Sequence, residues 1–326
     1  MTFADRISRR IKLHDLDILL AVVETGTMGK AAERLKISQP AVSKAIADLE
    51  HTLRTRLFDR TRRGVEVTSY GIALARRSVA ILDELRQGVQ DLEFLADPTA
   101  GELRIGSTDF VMASIVSVVI DRLSVKHSRI NFHVLAADPA TLRRELIARK
   151  IELLVGRMYT VPDDEALDTE VLCDDPLVVV ADRQHLLFGR RKIKLTEIVQ
   201  ENWTLPPPDT PSGSLVLDIF QRAGLEPPRN VVSTYSLPLR QYLVATGHFI
   251  TVLPKSTLHV IGERLSLFAL PVVLPAQQSL AVIATLKGRS LSPLAQFFVE
   301  EAREIAKAKS YNRYRPPRRA PGGPAR

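Results

Sequence analysis

At 326 residues, 45% hydrophobic and 25% charged, the chain has room for about two domains with their own cores, and its composition excludes low-complexity and disordered classes. Its longest nearly apolar run, Val111 to Ile120, is ten residues with two serines, short of the ~20 that span a membrane, and its single cysteine, Cys173, excludes an intrachain disulfide and a thiolate zinc site. The net charge of +8 is concentrated: residues 307–326 carry seven Lys/Arg and no acid, residues 30–63 carry nine against four acids, and a polyanionic partner is expected.

Met1 to Leu16 carries Arg6, Arg9, Arg10 and Lys12 but no apolar stretch of signal-peptide length, so a cytoplasmic chain with no membrane partner is expected. From Leu13 to Val23 the apolar positions Leu13, Leu16, Leu20 and Val23 recur at helical spacing until Gly26 breaks the run. Gly29 to Leu35 predicts a short second helix, in which Ala31 and Ala32 let a neighbouring helix approach. Ile37 turns the chain. Ser38-Gln39-Pro40 has the pattern of an N-cap with a proline in the first turn, where its missing N–H costs nothing. The third helix runs to about Leu53, with Val42, Ile46, Leu49 and Leu53 inside and Gln39, Ser43, Lys44 and Ala47 outside. Leu57 to Arg60 and Gly64 to Thr68 predict two short strands joined by the basic turn Thr61-Arg62-Arg63-Gly64. Ala75, Ser78, Leu82, Leu85, Val89, Leu92 and Ala96 then repeat at helical spacing, the seam of a helix over 69–96 that pairs with its copy in a second subunit or packs on its own body.

After a hinge at Pro98 to Gly101, strands alternate with helices. Leu103 to Gly106, a helix near 110–125, Ile130 to Leu135, a helix at 139–149 and Ile151 to Val155 predict a βαβαβ parallel sheet. A second such set is predicted from Leu177 to Val180, Trp203 to Leu205, a helix at 213–223, Val231-Val232, a helix at 237–246 and Phe249 to Leu253. Ser279 to Leu286 and a helix near 291–308 return to the first set. The expected fold class is α+β multidomain. A winged helix-turn-helix occupies 10–68 and a linker or dimerisation helix 69–97. A two-lobed α/β effector domain resembling periplasmic binding proteins occupies 101–309, with lobe I at about 101–175 and 271–309 and lobe II at about 176–270. A basic disordered tail, 310–326, follows.

Three helices and a basic hairpin are the parts of a winged helix-turn-helix, which binds DNA or serves as a protein-docking module. As a DNA reader, Ser38 offers free N–H groups at a helix N-terminus to phosphate, Gln39 can pair with adenine and Lys44 with guanine, and Pro40 and Ser43 reach base edges. Lys30, Arg60, Arg62 and Arg63 flank that helix as phosphate contacts.

Residues 13–71 resemble the DNA-binding domain of LysR-type transcriptional regulators. Ala31-Ala32-Glu33-Arg34-Leu35, Ser38-Gln39-Pro40-Ala41-Val42-Ser43, Ile46, Leu49-Glu50, Leu57-Phe58 with Arg60, and Thr68 with Gly71 carry the likeness. It extends more weakly to about residue 309 through Leu103-Arg104-Ile105-Gly106, Asp175-Pro176-Leu177 with His185-Leu186, and Leu253-Pro254 after Gly247. One departure is Arg54, where the family usually has glycine, and it puts the turn after the third helix in doubt. The resemblance implies a regulator without enzymatic activity or cofactor. It adds Thr68 to the DNA-contacting residues. It also implies a dimer or dimer of dimers on an interrupted palindrome in double-stranded promoter DNA, contact with RNA polymerase, and a small-molecule effector in the cleft. The subgroup that looks most similar contains the galactose-binding-protein regulator and the protocatechuate regulator.

By the same resemblance the effector would meet Ser107, Thr108 and Asp109 after the first strand of the domain, Arg157 after the third, and Thr210 and Ser212 at a helix N-terminus. Arg157 would hold a carboxylate, or pair with Asp109 across an empty pocket. Asp109 accepts from sugar hydroxyls and disfavours a second anion, which leaves a sugar or sugar acid ahead of an aromatic acid. His248, after Gly247, is a further candidate contact.

Three other classes compete. No Gly-x-Gly-x-x-Gly, phosphate-loop, Gly-x-Ser-x-Gly or His-Glu-x-x-His spacing supports an enzyme, and the histidines at 14, 51, 127, 133, 185, 248 and 259 lack metal-ligand spacing. A solute-binding protein fits the lobes but not the attached winged helix. A nucleoid protein would have the basic wing and no use for a cleft.

Overall fold

The computed structural model describes residues 10–61, 64–158, 164–275 and 279–307. Arg62, Arg63 and the tail 310–326 lie outside them, as does the side chain of Arg60. The chain forms two compact units, Met1–Ala96 and Asp97–Arg326.

The first unit contains α1 (Leu13–Thr25), α2 (Met28–Leu35), α3 (Gln39–Leu53), the hairpin β1 (Phe58–Thr61) and β2 (Gly64–Val67), and α4 (Ser69–Ala96). The second and third helices each start on a hydroxyl cap: Thr27 Oγ1 accepts from the Lys30 N–H (3.2 Å) and Ser38 Oγ from the Ala41 N–H (3.3 Å). Such caps contribute about 1 kcal/mol each. Leu19, Val22, Ala31, Val42, Ile46, Leu49 and Leu57 close one apolar core, which Ala75 of α4 joins. Gly71 is there because of a close approach: a Cβ on it would stand 2.3 Å from the carbonyl oxygen of Leu57.

The turn after α3 keeps its left-handed geometry without a glycine. Arg54 takes φ 56° and ψ 33°, and its N–H bonds back to Glu50 O and His51 O. Glu50 then fastens the next segment, its Oε1 accepting from the N–H groups of Leu57 (2.7 Å) and Phe58 (3.1 Å).

In the second unit, β3 (Ala100–Ser107), β4 (Arg129–Ala136), β5 (Leu153–Met158), β6 (Leu167–Asp174) and β12 (Leu280–Leu286) form the sheet of lobe I, in the order β4-β3-β5-β12-β6. The predicted parallel set is present as β4-β3-β5, but β12 runs antiparallel to β5 and to β6. The sheet is therefore mixed. The sequence reading missed β6, an edge strand with exposed acids among its residues, which lacks the apolar alternation of a half-buried strand. Between β3 and β4 lie α5 (Asp109–Val111), a π-helical stretch Met112–Val116, and α6 (Ser117–Lys126). α7 (Pro139–Ile147) links β4 to β5.

Lobe II repeats the parallel part of this plan and adds antiparallel strands of its own. Its β7 (Leu177–Asp182) lies between β10 (Thr251–Pro254) and β11 (Leu267–Ala269), antiparallel to both, while β8 (Trp203–Leu205) and β9 (Val231–Ser233) pair in parallel. The expected second parallel set is present in β8, β9 and β10, with Trp203 bridged in parallel to Ile250 just before β10; only its expected first strand, β7, is corrected, because it runs antiparallel to β10 and β11. The cause is the crossing: β6 leads through Asp175-Pro176 straight into β7, which leaves the lobe junction, whereas β10 returns to it. Three short elements were not anticipated: α8 (Leu195–Ile198), α11 (Lys255–Ile261) and β11. The lobe II core surrounds Trp203, which is fully buried, lies edge-on to Phe220 of α9 (Pro211–Arg222) and donates Nε1–H to Ile198 O (2.8 Å). α10 (Leu237–Ala245) packs in a second cluster with β7, β10 and α11, and Phe110 and Ala113 of lobe I pack against that same cluster. α12 (Pro293–Lys307) closes lobe I.

The left-handed Arg54 costs about 1–2 kcal/mol of strain, and glycine would add about 0.5–1 kcal/mol of unfolded-chain entropy. Arg54→Gly should therefore stabilise the N-terminal unit by about 0.5 kcal/mol in urea denaturation, while Ala47→Gly in the middle of α3 should cost about 1 kcal/mol.

Candidate DNA interface and effector cleft

The buried stripe of α3, Val42, Ile46 and Leu49, fixes which side chains face out. Ser38, Gln39, Pro40, Ala41, Lys44 and Ala47 are exposed, and Ser43 is half-buried beside them. The outer face thus carries one amide, one ammonium, small groups and the free N–H ends of the helix, with no carboxylate before Asp48. Lys30 is exposed on α2, and Arg34 beside it is ion-paired with Glu24 of α1. The hairpin stands against α1, the Val65 N–H donating to Gly26 O (3.1 Å). Thr68 is a correction. Its hydroxyl donates to Arg56 O (2.8 Å) and Leu57 O (3.1 Å) and accepts from the Gly71 N–H (3.1 Å), so it caps α4 and has no donor left for a phosphate.

The junction of the lobes is a buried polar network. Arg157, at the end of β5, donates Nη1–H to Asp175 Oδ2 (3.0 Å) and Nη2–H to Asp175 O and Ser279 Oγ. Asp175 also accepts from the Ser256 N–H (2.9 Å) and hydroxyl (2.6 Å) at the start of α11, and Ser256 Oγ lies 3.3 Å from Ser114 Oγ in the π-helical stretch. Thr257 Oγ1 donates to Phe110 O (3.0 Å). Both members of the Arg157–Asp175 pair are 3% exposed. Arg157 therefore clamps the junction, and its ion-pair partner is Asp175, not Asp109. Sequence spacing could not find this, because Asp175 and Ser256 are brought together only by the antiparallel pairing of β7 with β10, in which Pro254 stands opposite Leu177.

Ser107 is fully buried, its hydroxyl donating to Val155 O (2.8 Å). Thr108 is half-buried with its Oγ1 enclosed and unpartnered, and Asp109 is exposed. Across the junction, Thr210 caps α9: its Oγ1 accepts from the Gly213 N–H (2.9 Å) and donates to Pro207 O (2.7 Å). Ser212 follows in the first turn. Gly213 leaves room for that turn, since a Cβ there would stand 1.9 Å from Pro207 O. Ser107 to Asp109 thus stand at the C-terminal end of β3 in lobe I, and Thr210 and Ser212 follow β8 in lobe II.

His248 is not among them. It precedes β10 at the end away from the junction, since β10 reaches Asp175-Pro176 only at Pro254, opposite Leu177. Its carbonyl accepts from Asn202 Nδ2 (3.4 Å). Its neighbour there is His185, which burial, opposed by Glu201 and reinforced by His248, holds below the ordinary histidine value. Among the described residues no helix is long and apolar enough to cross a membrane, and no His/Cys/Asp/Glu group is suited to a metal ion. A residue the sequence reading missed is Arg240. It interrupts the apolar run of α10 between Leu237 and Val244, a spacing that puts it on the buried face.

Two family descriptions match the chain: "Bacterial regulatory helix-turn-helix protein, lysR family" over residues 13–72, and "LysR substrate binding domain" over residues 96–307. The HTH-type transcriptional regulator GbpR of Azospirillum brasilense is 28% identical over 89% of this chain and 85% of its own length. The SDS degradation transcriptional activation protein of Pseudomonas sp. (strain ATCC 19151) is 29% identical over 87% of this chain and 93% of its own. A full-length OxyR variant from Pseudomonas aeruginosa has a TM-score of 0.64 at 19% identity, covering 91% of this chain and 95% of that one. Full-length CbnR complexed with its target DNA has a TM-score of 0.51 at 21% identity, covering 91% of this chain and 100% of that one.

Breaking the junction pair should expose its coupling. Asp175→Asn, which leaves the buried guanidinium unpaired, should cost about 3–5 kcal/mol in chemical denaturation, and combining it with Arg157→Met should recover much of that loss.

Proposed function

The chain belongs to the LysR family of DNA-binding transcriptional regulators, and on that premise we propose that it binds interrupted palindromes in promoter DNA as a dimer or dimer of dimers, under control of a small molecule held between the lobes. The family is non-enzymatic and carries an effector-binding domain behind its helix-turn-helix. The observation that carries the DNA reading is the outer face of α3: Gln39 and Lys44 stand exposed beside Ser38, Pro40 and Ser43, opposite a fully buried stripe. Gln39 and Lys44 read base edges in the major groove, while Lys30, Arg60, Arg62 and Arg63 contact phosphates and set register.

Self-association is supported by α4, where Ile81, Leu85, Val89, Leu92 and Leu95 are exposed at spacings of three and four, an apolar stripe suited to a second copy of the helix. The effector meets Thr108, Asp109, Thr210 and Ser212, with Ser107 beneath them. Likeness to GbpR supports the subgroup with the galactose-binding-protein and protocatechuate regulators, and with it a sugar, sugar acid or aromatic acid as effector. The effector shifts the equilibrium between two arrangements of the regulator by its differential affinity for them. A cytoplasmic, chromosome-bound regulator that meets RNA polymerase at the promoter follows from these partners.

Genome-wide footprinting at fixed salt tests the reading. The wild type should protect discrete dyad sites; Gln39→Ala and Lys44→Ala should each lose about 1–3 kcal/mol and relax the sequence preference, while Lys30→Ala should weaken all sites alike and lower the salt slope by about 1. Diffuse, salt-suppressed binding unchanged by the α3 variants would overturn it.

A further inference from the structure

The cations beyond α12 are not absorbed by the reading of the N-terminal unit. Residues 308–326 carry Lys309, Arg313, Arg315, Arg318, Arg319 and Arg326 and no Asp or Glu. The unit they follow has no matching excess of negative charge, since residues 97–307 hold 23 Lys/Arg against 24 Asp/Glu. Carboxylates where the segment begins are engaged as well. Glu170 of β6 accepts from Arg303 Nε (2.8 Å) and Nη2 (2.7 Å), Glu301 pairs with Arg122 (3.3 Å) and Lys126, and Glu304 lies 3.6 Å from Lys307, the last described residue. Hydrogen bonds from Arg303 and Lys126 hold the carboxyls of Glu170 and Glu301 below their ordinary range. By charge balance the cations of 308–326 are in surplus, and a surplus gathered on one segment suits a polyanion.

The residue types narrow the partner. All but Lys309 are arginines, whose planar fork matches phosphate oxygens in pairs, and Tyr311, Asn312 and Tyr314 add donors of the kind that meet DNA phosphates. The segment has no Val, Ile, Leu, Met or Phe to anchor it in a lipid surface or an apolar protein groove. Its 19 residues span at most about 65 Å, and they are tethered to a chain whose N-terminal unit holds DNA. Tethering presents the segment to that duplex at an effective concentration on the order of millimolar, above the roughly 10⁻⁴ to 10⁻⁶ M of non-specific phosphate binding, so contacts too weak to act alone are occupied.

We propose that residues 308–326 are a second, sequence-indifferent DNA contact, which binds backbone phosphates flanking the site read by α3. The inference rests on the DNA-binding reading above and adds affinity and salt dependence to it without adding base recognition. Phosphates beside α3 and the hairpin are taken by the cations of residues 30–63, which leaves the flanks to this segment.

The test compares the full chain with a chain ending at Lys307 and with a full-length variant combining Arg313→Gln, Arg315→Gln, Arg318→Gln and Arg319→Gln. Each is titrated onto a duplex with a footprinted dyad and long flanks, the same dyad trimmed of its flanks, and a scrambled duplex of the longer length. Each contacted phosphate adds about 0.9 to the slope of log affinity against log salt, so three contacts should steepen the full-chain slope by about 2.7 and shrink its advantage about fortyfold between 50 and 200 mM salt. The glutamine variant should behave as the truncated chain does, on the scrambled duplex as on the dyad, and on the trimmed duplex the full chain's advantage should fall to about twofold or less. Its ratio of dyad to scrambled affinity should stay within about twofold of the wild type, whereas Gln39→Ala should lower that ratio and keep the slope. Should the truncated chain melt below the wild type, the glutamine variant decides. Equal slopes with and without the charges, an advantage kept in full on the trimmed duplex, or loss of dyad preference in the glutamine variant would overturn the proposal. So would charge-dependent binding to phosphatidylglycerol–phosphatidylcholine vesicles with no change on DNA, which assigns the segment to a lipid surface. Absence of discrete footprints sinks the sequence-reading role of α3 alone, because the slope difference on the scrambled duplex still decides on the segment.

Discussion

The carboxylate of Asp175 is the point at which the two lobes are joined. It accepts from Arg157 of lobe I and from both the N–H and the hydroxyl of Ser256, where α11 of lobe II begins. A buried ion pair is poor evidence of net stability, since desolvation offsets much of its attraction. Its strength here is directional. A guanidinium with three hydrogen bonds and a carboxylate with three permit few arrangements, so the crossing from β6 to β7 is held in place. Whatever motion separates the lobes has to pivot about this network. Ser114, in the π-helical stretch, touches the same network through Ser256. An irregular turn of helix at a pivot is a common place for a functional distortion.

The N-terminal unit depends on a different constraint, the division of α3 into two faces. Its three fully buried positions leave no freedom in which side chains point away, so the chemistry of the outer face is set by packing on the inner one. Thr68 shows the limit of such reasoning. It stands at the edge of the wing and has a suitable hydroxyl, yet three hydrogen bonds commit it to the start of α4.

Elements governed by short-range periodicity were legible in the sequence. The three early helices, the hairpin, α4 and the β4-β3-β5 set follow from apolar spacing, caps and turns, and the outer residues of α3 follow from its inner stripe. The parallel run of β8, β9 and β10 was legible in the same way, whereas the directions of β7 and β12 and the presence of β6 and β11 were not, because these strands take their partners from across the chain. The same holds for the site. Ser107 to Asp109 and Thr210 to Ser212 fall at strand and helix ends visible in the sequence. Arg157 looked like a ligand residue because its partner lies at a distance that no spacing rule reaches. His248 looked close to the cleft because it begins a strand that reaches the junction only at its other end, Pro254. Arg240 was hidden in an apolar helix, although a charge on the buried stripe of a helix is itself a signal that it has partners, here Thr251 Oγ1 and the carbonyl of Val252.

The strand order of lobe I has a consequence for how the molecule is made. β12 lies between β5 and β6 and pairs with both, yet more than a hundred residues, the whole of lobe II among them, separate it from β6 in the chain. On the ribosome, β3, β4 and β5 can associate as they emerge, but the place beside β5 stays vacant until lobe II has been synthesised. Lobe II is continuous and can fold as a unit during that interval. Lobe I is therefore begun first and completed last. Its closing step brings together segments remote in sequence, the kind of contact that slows folding. Until β12 arrives, β5 and β6 present open edges to the cell, and chaperone dependence of the nascent chain would be concentrated in that window.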